Sequence, residues 1–167
     1  MGHQNLGLGL VAAVACSVLS ASPASAANWW FLAGGKARVV YADLDSIAAR
    51  KFGGVPYTEV KTLTQTARPD ADGVRYTQMT ISFDCKSTKT FAPLTTYQDD
   101  KGVMVLEDVA VFDPSTMIKV KPGDTYEIMR LFACNASQMS GLETFAINGR
   151  TFTRVPDARA DARRRLP

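Results

Sequence analysis

The chain has 167 residues, 46% hydrophobic and 21% charged, with a formal net charge of +3. That length suits one domain with a true hydrophobic core, and the single histidine, His3, leaves no room for a histidine-based catalytic centre once the first residues are removed. The surplus charge lies in residues 154–167, which hold five arginines and two aspartates, while residues 27–153 balance, so a basic nucleic-acid-binding face is not indicated.

Residues 6–19 form an apolar run, followed by Pro23 and the small-residue site Ala24-Ser25-Ala26. This predicts a secretory signal over residues 1–26 with cleavage after Ala26, although the first ten residues lack Lys and Arg. A competing reading takes Val14-Ala15-Cys16 as a lipoprotein box with Cys16 acylated. The run is shorter than the roughly 20 residues a spanning helix needs, and no second such stretch follows, so no transmembrane segment is expected. The expected location is outside the cytoplasm, in the periplasm or at the cell surface.

Residues 28–32 read as an aromatic-rich first strand, turned by Gly34-Gly35 into a second over residues 37–42. Asp45 is placed to cap a short helix over residues 46–51 that ends at Gly53-Gly54. Residues 57–66 alternate as a strand, and a polar loop leads to the clearest period-two segment, residues 75–85. There Met79, Ile81, Phe83 and Cys85 share one face, which points Cys85 at the core. Residues 89–97 make a fifth strand in which Pro93 predicts an edge or a bulge. Asp99 to Gly102 turn the chain into a sixth, residues 103–106, apolar on both faces.

Asp124, with Glu127 three residues on, predicts a capped helix through residues 128–134, its apolar face formed by Ile128, Leu131 and Phe132 with Cys134 beside it. Beyond residue 26 only Cys85 and Cys134 remain, and in an oxidising compartment they form a natural disulfide. The alternative is two free thiols. Joined, they close a loop whose chain-entropy stabilisation is about 4 kcal/mol. Residues 154–167 read as a disordered, solvated Arg-rich tail, or as a weak tether to anionic lipid or polysaccharide.

Catalytic signatures are sparse. Asp43 and Asp45 form a D-x-D pair beside Ser46 without the rest of a calcium loop, and strand ending or helix capping explains them better. Ser115 with Lys119 is an imaginable Ser–Lys pair, but Asp113-Pro114-Ser115 reads as a turn. No catalytic residue, metal ligand or cofactor-binding residue is assigned, and no cofactor is expected. Trp29, Trp30, Phe31, Val103, Val105 and Phe112 exceed what one face of a small sheet needs, which marks Trp29, Trp30 and Phe31 as a candidate interface for a protein partner or a homodimer.

Taken together, Trp30, Val40-Tyr41-Ala42-Asp43-Leu44-Asp45-Ser46-Ile47, Asp84-Cys85, Tyr97, Gly102, Pro122-Gly123 and Cys134 resemble the pattern of the surface-adhesin protein E family of Gram-negative bacteria. The match runs from about Trp29 to Cys134, within a domain spanning residues 27–153. The resemblance implies an α+β fold, a single mainly antiparallel sheet of about six strands with a C-terminal helix joined to it by a disulfide. It also implies an outer-membrane adhesin that binds matrix and serum proteins such as laminin, vitronectin and plasminogen, and that can bind haem. Haem ligation here would need a residue other than histidine. The expected function is a non-enzymatic, adhesin-like protein-binding module of the cell envelope. The alternatives are a periplasmic carrier of a small apolar ligand and an unrecognised hydrolase.

Overall fold

A computed structural model describes residues 27–111, 113 and 116–167. The signal segment with Cys16, and the positions Phe112, Pro114 and Ser115, lie outside the described residues. Among those described, strands β1 (Trp29–Gly34), β2 (Arg38–Phe52), β3 (Val55–Thr66), β4 (Tyr76–Phe83), β5 (Lys89–Gln98), β6 (Met104–Val109), β7 (Ile118–Lys119), β8 (Thr144–Ile147) and β9 (Arg150–Arg154) form one open antiparallel sheet. The order is β6-β5-β4-β3-β2-β1-β9-β8, and the short β7 pairs with the start of β5. Helices α1 (Thr125–Cys134) and α2 (Ala158–Arg165) pack against it. The α+β reading holds, but the sheet has nine strands where about six were expected.

The period-two pattern explains how each face is filled. Trp30, Leu32, Val40, Ala42, Val60, Ile81 and Phe83 point to one face, where α1 adds Ile128, Met129, Leu131 and Phe132. Val39, Tyr41, Leu63 and Tyr76 point to the other, where α2 and its flanks add Val155, Ala158, Ala162 and Leu166. The sheet is thus a middle layer with one helix on each side, α1 lying across β1–β4 and α2 across β1–β3.

The N-terminus of α1 is built as its sequence indicates. Asp124 Oδ1 accepts from the Glu127 N–H at 2.7 Å, which satisfies an orphan donor of the first turn, and Glu127 Oε2 reaches back to accept from the N–H of Gly123, the residue before the cap, at 2.6 Å. Pro93 lies in a bulge, where β5 spends one residue more than β4 between the pairs Thr80↔Leu94 and Ser82↔Phe91.

Three expectations are corrected. Residues 46–51 are not a helix but the second half of β2. Between the pairs Asp43↔Lys61 and Ala48↔Glu59, residues 44–47 face Val60 alone, a wide bulge after which the ladder resumes to Phe52↔Val55. Gly53 and Gly54, with φ of 55° and 82°, form a two-residue hairpin turn instead of a helix stop. A six-residue helix barely pays for its nucleation, whereas a hairpin that continues an existing ladder adds cross-strand hydrogen bonds to β3 from Ala48 to Phe52.

The second correction concerns Cys85. β4 ends at Phe83, and Asp84 turns the chain by accepting from Lys86 N, Ser87 N and Ser87 Oγ, so Cys85 sits exposed at the rim of the sheet and not in the core. Its bond to Cys134 is present, with the Cα atoms 5.7 Å apart, and fastens the last turn of α1 to that rim.

The third concerns residues 154–167, which are not a solvated tail. Arg154 ends β9, paired with Trp30, and α2 follows. Asp157 caps the helix by accepting from Arg159 N at 2.8 Å and Ala160 N at 3.0 Å, and Arg163, Arg164 and Arg165 suit the negative end of its dipole. Ala158, Ala162 and Leu166, four residues apart, form a narrow apolar seam that composition alone conceals.

Candidate functional site

The anticipated interface residues separate. Trp30 is fully buried and tilts against Phe132 with ring centres 6.1 Å apart, so it belongs to the core. Phe31 is half-buried, edge-on to Tyr41, and the Arg165 guanidinium lies 3.9 Å above its ring. Trp29 lines an open groove on the α2 face, and the edge of buried Trp30 reaches a separate pocket beside Leu44 and Met139 on the other face. The apolar surplus emerges elsewhere. All six residues of β6 are exposed, and Val103, Met104, Val105, Leu106, Val109 and Val111 form an apolar run along an outer edge of the sheet. Of β6, Glu107 and Asp108 alone carry charge.

The face under α2 carries an ionic cluster that sequence reasoning missed. Asp161, nearly buried, accepts from the Tyr41 hydroxyl at 2.9 Å and from Arg164 at 3.1 Å, and it pairs with Arg165. Burial alone raises the Asp161 carboxyl pKa, but the hydrogen bonds from Arg165, Tyr41 and Arg164 and the Arg165 charge outweigh it and hold the group below the usual carboxylate range. Burial and the bond to Asp161 push the Tyr41 hydroxyl far above an ordinary phenol. Arg159 lies over the Tyr76 ring at 4.6 Å and donates to Gln98. Near these, Gln65 is fully buried with neither amide atom hydrogen-bonded.

Beyond α2 the same face continues uncovered by the described residues. Trp29↔Asp43, Asp43↔Lys61, Lys61↔Thr80 and Thr80↔Leu94 are successive cross-strand partners, so these five side chains form one row across β1–β5. The row lines a groove of about 190 Å³, with Gln78 and Thr96 on its flank. Asp43 and Ser46 fix the adjoining bulge. Asp43 Oδ1 accepts from Asn28 N at 2.9 Å and Asp45 N at 3.1 Å, while Ser46 Oγ donates to Asp43 O at 2.6 Å and accepts from Lys61 N at 2.8 Å.

Here burial is the larger influence. It raises the Asp43 carboxyl pKa, and the two backbone N–H bonds only partly oppose it. The D-x-D pair therefore staples a bulge and does not cap a helix. Among the described residues no group of three or more His, Cys, Asp or Glu is placed to hold a metal ion, and no helix is long and apolar enough to cross a membrane. Lys119 sits in β7, while its imagined partner Ser115 lies outside the described residues.

No family model, no curated protein and no solved structure matches this chain.

Proposed function

We propose that this protein is an exported, non-enzymatic binding module of the Gram-negative cell envelope, in the periplasm or at the cell surface, and that it takes an extended apolar segment of another protein at the β6 edge. The observation that carries this reading is the exposure of all of β6, four of whose six residues are apolar, with an outer edge that pairs with no strand among the described residues. Soluble proteins blunt such edges with lysine, proline or a covering loop, because free N–H and C=O groups template strand addition. A partner strand would gain main-chain hydrogen bonds from the edge and selectivity from the alternating side chains. The resemblance to the surface-adhesin protein E family and the signal-like first 26 residues support the same reading.

The test is fractionation and surface proteolysis, coupled to recovery of partners from the native envelope with wild type and with the double variant Met104→Lys and Leu106→Lys. Both side chains are 59% exposed, so the changes leave the core alone. The reading requires export and a partner held by wild type but released by the lysine variant. A cytoplasmic protein, or a partner held equally by both, overturns it.

A further inference from the structure

The groove on the α2 face is a second surface, independent of the β6 edge. Five neighbouring strands bring Trp29, Asp43, Lys61, Thr80 and Leu94 into one row, and at the ~4.8 Å spacing of strands this row is ~19 Å long. Its chemistry is specific. At one end stands a half-buried indole and at the other a leucine; between them lie an acceptor-only carboxylate, an ammonium donor, a hydroxyl, and the amide of Gln78.

Asp43 is the decisive group. Its residue is only 9% exposed, its Oδ1 is occupied by the N–H groups of Asn28 and Asp45, and its Oδ2 has no hydrogen-bond partner among the described residues although Asp43 lines the groove. Oδ2 is thus an acceptor open to the groove, beside the Lys61 ammonium and the Thr80 hydroxyl, which suits the groove to a ligand bearing hydroxyl donors.

We propose that this groove binds a short, uncharged glycan. The indole of Trp29 offers an apolar plane for the C–H face of a sugar ring, Asp43 Oδ2 accepts from a hydroxyl, and Gln78, Thr80 and Lys61 complete the polar contacts. The charges of Asp43 and Lys61 oppose one another across a single strand pair, which removes any preference for a strongly charged ligand. A peptide strand fits less well here, because β1–β5 already pair their backbones with each other and offer it side chains alone. The volume of about 190 Å³ lies under the ~300–1,000 Å³ of pockets for drug-sized ligands, so binding is weak and confined to roughly one or two rings.

Trp29 is also the reporter. Titration of the full secreted chain with cellobiose and with diacetylchitobiose, followed by tryptophan emission and calorimetry, should saturate with a Kd of roughly 1 mM for at least one of them. Asp43→Asn, whose remaining side-chain oxygen still serves Asn28 and Asp45, should weaken binding about tenfold, and Trp29→Ala should do at least the same. Circular dichroism confirms that each variant is folded, and Thr80→Ala supplies a further variant if Trp29→Ala is not. The lysine variant of β6 should bind sugar as wild type does, so the two surfaces fail or stand separately. Absence of saturation with both disaccharides at about 10 mM, or affinity unchanged in Asp43→Asn and Thr80→Ala, overturns the proposal.

Discussion

The two helices lie on opposite faces of one sheet and are held by different physics. α1 buries Ile128, Met129, Leu131 and Phe132 against Trp30 and Phe152 and is fastened by Cys85–Cys134. α2 contributes only small side chains and Leu166 to its seam, and it depends on Asp161, Tyr41 and three arginines that stay partly in water. Apolar contact and a covalent tie are indifferent to pH and salt, whereas an ionic seam is not. The same sheet therefore carries one permanent layer and one conditional one.

The largest effect expected is on the permanent side. Reduction of the disulfide, or Cys85→Ser with Cys134→Ser, reopens a loop with a sequence separation of 49 and should cost about 4 kcal/mol in urea unfolding with and without reductant. Because Cys85 lies at the exposed rim, the double serine variant leaves no buried cavity. A loss near zero would mean that Phe132 and its neighbours hold α1 unaided.

Asp161→Ala attacks the conditional side. It leaves the Tyr41 hydroxyl buried without its acceptor and frees Arg164 and Arg165, at a cost of about 2 kcal/mol after allowing for solvent around the arginines. Hydrogen exchange should report faster opening of α2 and unchanged α1. The pH dependence has a definite sign. Asp161 has a depressed folded pKa, so its contribution is complete above the unfolded carboxylate value of about 3.9 and is lost as pH falls through the folded value. Acid should release α2 before α1.

This contrast between the layers also explains what could be read from sequence. The strands around Val40, Val60 and Ile81 and the capped start of α1 follow from period and capping alone. The hairpin β8–β9 went unread although Asn148-Gly149, with φ of 50° and 73°, is the strongest short hairpin signal. Composition misleads at α2, because four arginines mask an alanine and leucine seam that is apolar only once Val39 and Leu63 lie beneath it. Residues 46–51 mislead for a local reason, since a capping aspartate and two glycines punctuate a helix and a bulged hairpin alike. The exposed apolar edge was visible as a surplus, but its place at the sheet border depends on strand order, which no local pattern encodes.

A smaller effect, of opposite sign, should come from Gln65→Met. The Gln65 amide is fully buried between Val39 and Tyr76 with both polar atoms unpaired, and a thioether of similar length removes that penalty. Thermal unfolding should shift upward by an amount equivalent to about 1 kcal/mol. A lower midpoint would indicate that the amide is satisfied in solution.

The smallest effect separates two aspartates on the same sheet face. Asp43 and Asp161 are both withdrawn from water, yet their carboxyl pKa values move in opposite directions. Asp161 has guanidinium groups to repay its desolvation, while Asp43 has two backbone N–H groups that repay it only in part. A raised folded pKa means that the native state binds the Asp43 proton more tightly than the unfolded chain does. Its ionised form therefore costs stability at neutral pH, and this cost is relieved as pH falls through the folded value towards the unfolded value of about 3.9. Asp43→Asn keeps one oxygen for Asn28 and Asp45 and never ionises, so at neutral pH it should be neutral or stabilising by about 0.5 kcal/mol. The variant should lose that relief on acidification while the acid release of α2 persists. Urea unfolding across that pH range measures the first, and hydrogen exchange at α2 the second. Marked destabilisation by Asp43→Asn at neutral pH would mean that the carboxylate charge itself holds the bulge of β2.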